Sequence, residues 1–412
     1  MSKSIWVYAD WFTTQPPELV GRLEVDLVRG SEVYRFAYAQ AWLDSPLAVQ
    51  IDPELQLFSG DQFNNDARNF RVFLDSCPDR WGRVLMQRRE AVVARQEGRR
   101  LAKLNESDYL LGVHDTFRMG GLRFKLQEDG PFLDNHQQFA APPLSSLREL
   151  EFAVSQIELQ PDLDSPDYLK WLYMLVSPGS SLGGARPKAC VMDGDDLWLA
   201  KFPSRYDDYD IGAWEYLLYR MAVDAGIEMA PCRLQRFNST HHTFLTQRFD
   251  RVGSLRRHFS SAMTQLGYYD GGAGASYLEL AQFLIEQGAN TQQDLHQLWR
   301  RMVFNILVSN ADDHLRNHGF LLSENSSGWR LSPAYDLNIS LGAAGLHLNI
   351  DEYSNALDLD LALEVAPYFQ LPTSEARLIL DQLQKITHQW QQYANEIGIH
   401  RQEQQLIASA IM

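Results

Sequence analysis

Cysteine is scarce in this 412-residue sequence, and its three cysteines, Cys77, Cys190 and Cys232, lie far apart. Their odd number and the lack of any Cys-x-x-Cys pair argue against a disulfide framework or a structural zinc site, and they fit a reducing compartment. Long apolar runs are missing too: stretches such as residues 171–176 are far shorter than the about 20 residues that span a bilayer. Asp10 interrupts the N-terminus before a signal-peptide core could form. We therefore expect a cytoplasmic protein that does not enter the membrane.

Basic residues are also in deficit, since 37 Lys and Arg face 53 Asp and Glu, for a net charge of −16. A chain this acidic is repelled by phosphate backbones, which argues against a nucleic-acid binder acting alone. It could still join a DNA complex through a basic partner. With 45% hydrophobic and 22% charged residues, the composition is that of a globular protein and excludes whole-chain disorder.

The order of secondary-structure signals predicts strands first and then a mostly helical C-terminal half. Polar, proline-rich residues 128–145 predict a domain boundary, and we expect domains over residues 1–140, 145–290 and 291–412. The predicted strands are residues 5–11, 23–27, 33–38 and 120–126, with a hairpin of residues 189–192 and 197–202 around Asp193-Gly194-Asp195. The predicted helices are residues 80–99, 211–225, 295–308 and 373–396.

A glycine-containing stretch, Ser181-Leu-Gly-Gly-Ala-Arg-Pro-Lys188, precedes this hairpin. Successive backbone N–H groups around glycines can cradle phosphate oxygens, although such a stretch alone is more often a flexible turn. Lys201 follows in an apolar strand, where its ammonium needs a partner. Kinases use a strand lysine to grip nucleotide phosphates and pair it with a helix glutamate, for which Glu215 is the candidate. The alternative is an edge-strand lysine and a solvated glutamate.

Asp312 and Asn317 have the D-x-x-x-x-N spacing of a kinase catalytic loop, in which the Asp is the base and the Asn binds Mg²⁺. Asp336 follows one hairpin later, where kinase-like folds place a second Mg²⁺ ligand. A capped helix end is the alternative for the loop, and a zinc cluster fits poorly because no second His or Cys lies at ligand spacing. Residues 246–251, between the two halves, could form an adenine-contacting hinge or a strand end with a structural Asp–Arg pair.

These motifs together resemble the HipA family of serine/threonine kinase toxins from type II toxin–antitoxin systems. The matching stretches are residues 181–188, 199–203, 248–251, 312–317 and 331–336, with residues 73–82 and 119–124 in the N-terminal part. The resemblance covers nearly the whole chain. It implies an α+β, bilobed kinase-like fold related to the phosphatidylinositol 3/4-kinases, with a β-rich N-terminal domain and a mainly helical C-terminal lobe. ATP and Mg²⁺ are the implied cofactors.

The resemblance also implies a role for each matching residue. In the loop it implies Asp312 as the catalytic base within a D-x-H-x-x-N pattern that includes His314, with Asn317 and Asp336 on Mg²⁺. Around the nucleotide it implies Lys201 on the ATP phosphates, the backbone of Leu182, Gly183, Gly184 and Ala185 around them, and Gln247 and Phe249 at the adenine. Glu215, the candidate partner of Lys201, and Lys188 are the other expected nucleotide-binding residues. Ser181 matches the serine that family members autophosphorylate, which ejects the glycine loop and silences the kinase.

The implied partners are a small DNA-binding antitoxin, HipB, and a protein substrate such as an aminoacyl-tRNA synthetase, with DNA reached only through the antitoxin. Two other functions stay open, a catalytically silent co-repressor and a small-molecule phosphotransferase. Asp313 stands where a small residue is common in the family, so it either crowds the base or faces solvent. Residues 267–274 resemble the family's glycine-rich segment and are expected to be a mobile loop near the active site.

Overall fold

Strands and helices come mostly in separate runs along the chain, as expected for an α+β protein. The computed structural model describes residues 2–13, 15–64, 68–133, 142–159, 166–176, 184, 186–324 and 328–412. In these ranges the strands are β1 Lys3–Ala9, β2 Glu18–Val28, β3 Ser31–Tyr38, β4 Gln62–Phe63, β5 Leu122–Lys125, β6 Lys188–Asp193, β7 Asp196–Lys201, β8 Cys232–Gln235, β9 Thr243–Gln247, β10 Arg251–Val252, β11 Leu255–Arg256, β12 Phe259–Ser261, β13 Gly319–Leu322 and β14 Trp329–Leu331. The α-helices are α1 Gln40–Leu43, α2 Arg71–Asp75, α3 Arg80–Gln96, α4 Glu106–Leu111, α5 Leu147–Glu158, α6 Pro166–Val176, α7 Ile211–Asp224, α8 Ala262–Gln265, α9 Tyr277–Gln287, α10 Thr291–Leu307, α11 Leu359–Val365, α12 Thr373–Thr387, α13 Trp390–Ile397 and α14 Arg401–Ile407.

The chain forms two compact units that are not continuous in sequence. Unit 1 comprises Met1–Arg205 and Asp250–Ser260, and unit 2 comprises Tyr206–Phe249 and Ser261–Met412. The predicted domain limits, 1–140, 145–290 and 291–412, stay a prediction.

Unit 1 contains an antiparallel sheet in the order β4-β3-β2-β1-β5. Successive side chains of a strand point to opposite faces, and β3 accordingly alternates between buried and more exposed positions. Phe36 on the buried face packs against Phe73 of α2, with ring centroids 5.8 Å apart, and Phe73 packs against Phe124 of β5 at 6.0 Å. The predicted strands at residues 5–11, 33–38 and 120–126 are thereby confirmed, while residues 23–27 form the middle of the longer β2.

Residues 250–260 belong to unit 1 because buried polar contacts tie them to its N-terminal part. Asp250 Oδ2 accepts a hydrogen bond from the backbone N of Gly120 (2.8 Å), and Arg251 Nη2 donates to the Arg118 carbonyl (2.6 Å). The backbone of this segment comes so close that a Cβ on Gly120 would lie 3.0 Å from the backbone N of Phe259. Gly120 also has φ +75°, a conformation that only glycine adopts without strain. The positive φ and the close approach of Phe259 both require glycine at position 120, in the Met-Gly-Gly stretch 119–121.

The centre of unit 2 is α10, whose apolar residues are almost entirely buried. It packs against α9, α11 and α12, and the hairpin of β13 and β14 lies against α9 and α10. The helices predicted over residues 211–225 and 295–308 are confirmed as α7 and α10, and the hairpin predicted at residues 189–202 is confirmed as β6 and β7 in unit 1.

The single helix predicted over residues 373–396 is wrong, because two helices lie there. Helix α12 ends at Thr387, and α13 begins at Trp390. The break turns α13 onto α7, where the indole rings of Trp390 and Trp214 lie 5.9 Å apart. Tertiary packing of a large aromatic side chain thus overrides helical periodicity that would otherwise continue.

None of the helices in the described ranges is both long enough and apolar enough to span a bilayer. Cys77, Cys190 and Cys232 are all described and carry free thiols.

We predict that Gly120→Ala lowers the free energy of unfolding by about 2–4 kcal/mol, because a β-carbon both strains the backbone and collides with the segment at Phe259. Gly194→Ala is the matched control: its φ is +63°, but a Cβ there would meet open space. It should cost only about 1–2 kcal/mol. Urea unfolding of the three proteins measures the difference, and equal losses would show that the close approach is unimportant.

Candidate active site

The loop between α10 and β13 in unit 2 carries Asp312, His314 and Asn317. It folds back on itself: the Asn317 side-chain Nδ2 donates to the Asp312 carbonyl (2.8 Å), and the Asn317 backbone N donates to the His314 carbonyl (2.8 Å). The D-x-x-x-x-N spacing is therefore realised as a closed turn that is held by its own first and last residues.

The two adjacent carboxylates of this loop point in opposite directions. The Asp312 side chain is 68% exposed, with one oxygen 3.9 Å from His314 Nε2. The Asp313 side chain is only 2% exposed, and its two oxygens are bonded to Tyr277 Oη and to His318 Nε2, the latter at 2.6 Å. The expectation that Asp313 crowds the base or faces solvent is wrong, since it turns into the core. Of the two, Asp312 is the carboxylate that can accept a proton from a substrate hydroxyl.

Asn317 presents a polar atom that the described residues leave without a partner. Its residue is 6% exposed, its nitrogen is used within the loop, and no donor in the described part of the chain reaches its buried Oδ1. Leaving a buried acceptor without a hydrogen bond is unfavourable, typically by about 1–3 kcal/mol. Such an atom is therefore a candidate to bind an ion, a water molecule or a ligand. A neutral amide oxygen is a suitable ligand for Mg²⁺.

Asp336 follows β14 and has φ +58°, a left-handed conformation that Asp tolerates better than most residues. Asn338 Nδ2 donates to its carboxylate at 3.2 Å. The segment leading to it is fixed by Arg301, whose Nη2 donates to the Ser332 carbonyl (2.6 Å). Burial lowers the pKa of Arg301 to about 10, so it remains cationic at neutral pH.

The oxygens of Asn317 and Asp336 suit a magnesium ion that binds together with a nucleotide better than a metal ion that is coordinated by protein side chains alone. No group of three or more His, Cys, Asp or Glu within the described ranges could hold a metal. Mg²⁺ typically takes one or two protein oxygens and completes its shell with water and substrate phosphates. Asn317 Oδ1 and the Asp336 carboxylate are suited to supply those oxygens.

The predicted hinge meets both of these segments within unit 2. The Phe249 ring packs on the Tyr335 ring at 5.4 Å, and the Tyr335 hydroxyl donates to the Arg316 carbonyl in the loop (2.8 Å). Gln247, at the end of β9, is half-buried and is held by its backbone N, which donates to the Pro231 carbonyl (2.8 Å). Phe249 of the hinge, Tyr335 of the Asp336 segment and the backbone of the Asp312 loop are therefore in contact.

Residues 267–274 contact the Asp312 loop through an ion pair between Asp270 and Arg316, with 3.1 Å between Asp270 Oδ2 and Arg316 Nη2. Both side chains are partly exposed, so the pair contributes little to stability. Glu215, the predicted partner of Lys201, is buried on α7, a helix whose N-terminus is capped by Asp210 accepting from the Ala213 backbone N at 3.1 Å.

The predicted lysines lie in unit 1, directly opposite each other in the β6–β7 pair. Lys201 is 5% exposed. Lys188 is buried with its ammonium 2.7 Å from Asp79 Oδ2 and 3.1 Å from the Gly184 carbonyl. Asp79 also caps α3 by accepting from the Gly82 backbone N at 2.8 Å. The structure thus gives Lys188 a carboxylate partner, which the sequence reasoning did not foresee.

Four predicted site residues, Ser181, Leu182, Gly183 and Ala185, lie outside the described residues, as do the neighbouring Ser177 and Ser180.

Sequence reasoning missed several residues around these groups. Asp79 stood within the quoted stretch 73–82, so it had a local signal. Tyr277 and Asn338 had none, because nothing in the sequence links either of them to Asp313 or Asp336.

Three comparisons place the chain among known proteins. The model of the HipA-like C-terminal domain family matches residues 180–390, just over half of the chain. A curated Haemophilus influenzae protein named as a candidate kinase is 28% identical over 182 residues, which are 38% of this chain and 52% of that protein. The chain therefore spans about half the length of this curated relative.

Among solved structures, HipA from Shewanella oneidensis, crystallised with HipB and its operator DNA, matches with a TM-score of 0.64. The match covers 95% of this chain and 92% of that one at 18% identity, so it shows the fold and confirms the predicted α+β class of the kinase-like HipA fold. The Helicobacter pylori proinflammatory kinase CtkA gives a TM-score of 0.38 at 14% identity, over 56% of this chain and 91% of that one.

We predict that Lys188→Met, which keeps the stem but removes the charge, lowers the free energy of unfolding by about 3–5 kcal/mol, because Asp79 stays buried without its ammonium partner. Lys170→Met is the control, since Lys170 pairs with Glu149 at 3.7 Å with both side chains more than half exposed. It should change stability by at most about 1 kcal/mol. Urea unfolding without nucleotide tests both, and a Lys188→Met loss no larger than the control would contradict the ion-pair assignment.

Proposed function

The chain belongs to the HipA family, and we propose that it is an ATP- and Mg²⁺-dependent protein serine/threonine kinase that acts as the toxin of a toxin–antitoxin pair. The observation that carries the proposal is the geometry of the Asp312 loop. One of two adjacent carboxylates is exposed while the other is buried and fully bonded, and the amide oxygen of Asn317, five residues after Asp312, has no donor among the described residues.

This geometry supports a division of roles in phosphoryl transfer. Asp312 accepts the proton of the substrate hydroxyl as the oxygen attacks, and His314 Nε2 lies 3.9 Å from its carboxylate. Asn317 and Asp336 would hold Mg²⁺, which when bound would neutralise the charge that develops on the transferred phosphoryl group.

The remaining roles rest on the family. We propose that Lys201 binds the ATP phosphates with Glu215 as its partner, that the backbone of residues 182–185, including Gly184, cradles them, and that Gln247 and Phe249 contact the adenine. Lys188 would take part through the base of this stretch, where it already binds the Gly184 carbonyl.

The partner and the substrate follow from the same family. The Shewanella HipA was crystallised with HipB and operator DNA, and the net charge of −16 suits a basic antitoxin of that kind. We propose a HipB-like partner that brings the chain to DNA. We also propose a cytoplasmic protein substrate, an aminoacyl-tRNA synthetase being the candidate.

The test of catalysis is Asp312→Asn. Replacing the base with an amide should lower the rate of phosphate transfer from labelled ATP by at least about 10²-fold, because a positioned base contributes about 10²–10⁴-fold. Asp195→Asn, in the exposed turn between β6 and β7, is the control and should keep the wild-type rate. A loss of only a few-fold in Asp312→Asn would remove the assignment of the base. Wild type that transfers no phosphate while binding an antitoxin would favour the silent co-repressor.

The test of regulation concerns Ser181. Transfer of phosphate to this serine adds a charge of about −1.5 to −2 beside the proposed phosphate cradle, which should weaken ATP binding. Mass spectrometry after incubation with Mg-ATP should find phosphate on Ser181 in wild type and none there in Ser181→Ala. Phosphate on Ser177 or Ser180 instead, or tight ATP binding by Ser181→Asp, would exclude self-silencing at Ser181 and leave the kinase assignment untouched.

A further inference from the structure

A continuous chain of polar side chains runs through the interior of unit 2 behind the Asp312 loop. We refer to Asp313, Tyr277, His318, Asn305, Asn310 and Asn338 as the Asp313 network. Tyr277 lies at the start of α9, Asn305 on the last turns of α10, Asn310, Asp313 and His318 on the loop that leads to β13, and Asn338 after β14.

Each link of the network is a hydrogen bond. Asp313 binds Tyr277 Oη and His318 Nε2 (2.6 Å), and Tyr277 Oη accepts from Asn305 Nδ2 (3.0 Å). Asn305 Oδ1 accepts from Asn310 Nδ2 (3.0 Å), and Asn310 Oδ1 accepts from the Asn338 backbone N (3.4 Å). Asn338 Nδ2 then donates to the Asp336 carboxylate (3.2 Å).

The charge at the head of the network is costly unless both of its oxygens are bonded. An ionised carboxylate only accepts hydrogen bonds, so Tyr277 and His318 must both donate. Burial, with the neighbouring Asp313 charge, holds the pKa of Tyr277 well above its usual range, so its hydroxyl keeps its proton. Apolar residues at these six positions would fill the same space without any charge to stabilise, which argues that the network serves more than packing.

What the network joins is the pair of segments that carry the candidate metal ligands. Asn310, Asp313 and His318 flank Asn317 on one segment, and Asn338 holds Asp336 on the other. Each segment contains one left-handed residue, Ser309 at φ +49° and Asp336 at φ +58°. Such conformations persist only where surrounding contacts enforce them.

We propose that the Asp313 network is a positioning device that sets Asn317 Oδ1 and the Asp336 carboxylate relative to each other, and so determines the affinity of the site for Mg²⁺. The inference rests on the proposed function. Its six members touch neither metal nor nucleotide. They act through the residues they hold, as outer partners of metal ligands commonly do.

The test is Tyr277→Phe, which deletes one oxygen atom and removes one of the two donors to Asp313. The Mg²⁺ concentration that gives half-maximal activity in the kinase assay should rise by about 10–100-fold. The KM for a protein substrate should stay within about two-fold of wild type. Binding of Mn²⁺ with a non-hydrolysable ATP analogue, followed by electron paramagnetic resonance, should weaken by a similar factor without any turnover.

Tyr34→Phe is the matched control, because Tyr34 in unit 1 is also a buried tyrosine whose hydroxyl is hydrogen-bonded to a buried carboxylate, that of Glu32. Both variants should lose stability, but only Tyr277→Phe should change metal dependence. Asn338→Ala, at a half-buried position, removes the last link without opening the core and should also weaken Mn²⁺ binding.

The inference is overturned if Tyr277→Phe, or Asn338→Ala should Tyr277→Phe not fold, keeps wild-type Mg²⁺ and Mn²⁺ constants, or if Tyr34→Phe shifts them equally. The wild-type protein could transfer no phosphate and still bind Mn²⁺ with the nucleotide analogue more tightly than Tyr277→Phe does. That result would overturn the proposed function but support the positioning role of the Asp313 network.

Discussion

A buried carboxylate is tolerated only if both of its oxygens are bonded, and Asp313 meets that requirement through Tyr277 and His318. The consequence reaches its neighbour. With Asp313 fixed inside, the side chain of the adjacent Asp312 is left 68% exposed. Two adjacent side chains of the same type thereby differ completely in surroundings, one bonded in the core and the other open to solvent.

The same rule operates in unit 1, where buried charges also occur in pairs. Lys188 is neutralised by Asp79, and Arg256 Nη2 lies 3.1 Å from Asp115 Oδ2. The Lys188–Asp79 pair fixes the C-terminal end of the glycine-containing stretch, residues 181–188. Its carboxylate belongs to a helix cap far away in the sequence, so the cap and the stretch share one residue.

How far the sequence could predict the structure depends on the range of the interactions. The Asp312–Asn317 loop was predictable because its hydrogen bonds close within six residues. The strand β3 and the helices α7 and α10 were predictable because one buried face imposes a period on the residues. The partner of Lys188, the inward turn of Asp313 and the break before Trp390 depend on residues distant in sequence, and no local pattern records which distant side chain will be in contact.

Unit 1 is made of two separate stretches of the chain, which has a consequence for biosynthesis. Its last segment, Asp250–Ser260, follows 44 residues of unit 2, Tyr206–Phe249. When the chain has been synthesised as far as residue 205, Asp250 and Arg251 do not yet exist. The backbone N of Gly120 and the carbonyl of Arg118 therefore still lack their hydrogen-bond partners. Unit 1 can therefore complete these buried polar contacts only after more than half of the protein has emerged, when part of the second unit has already been made.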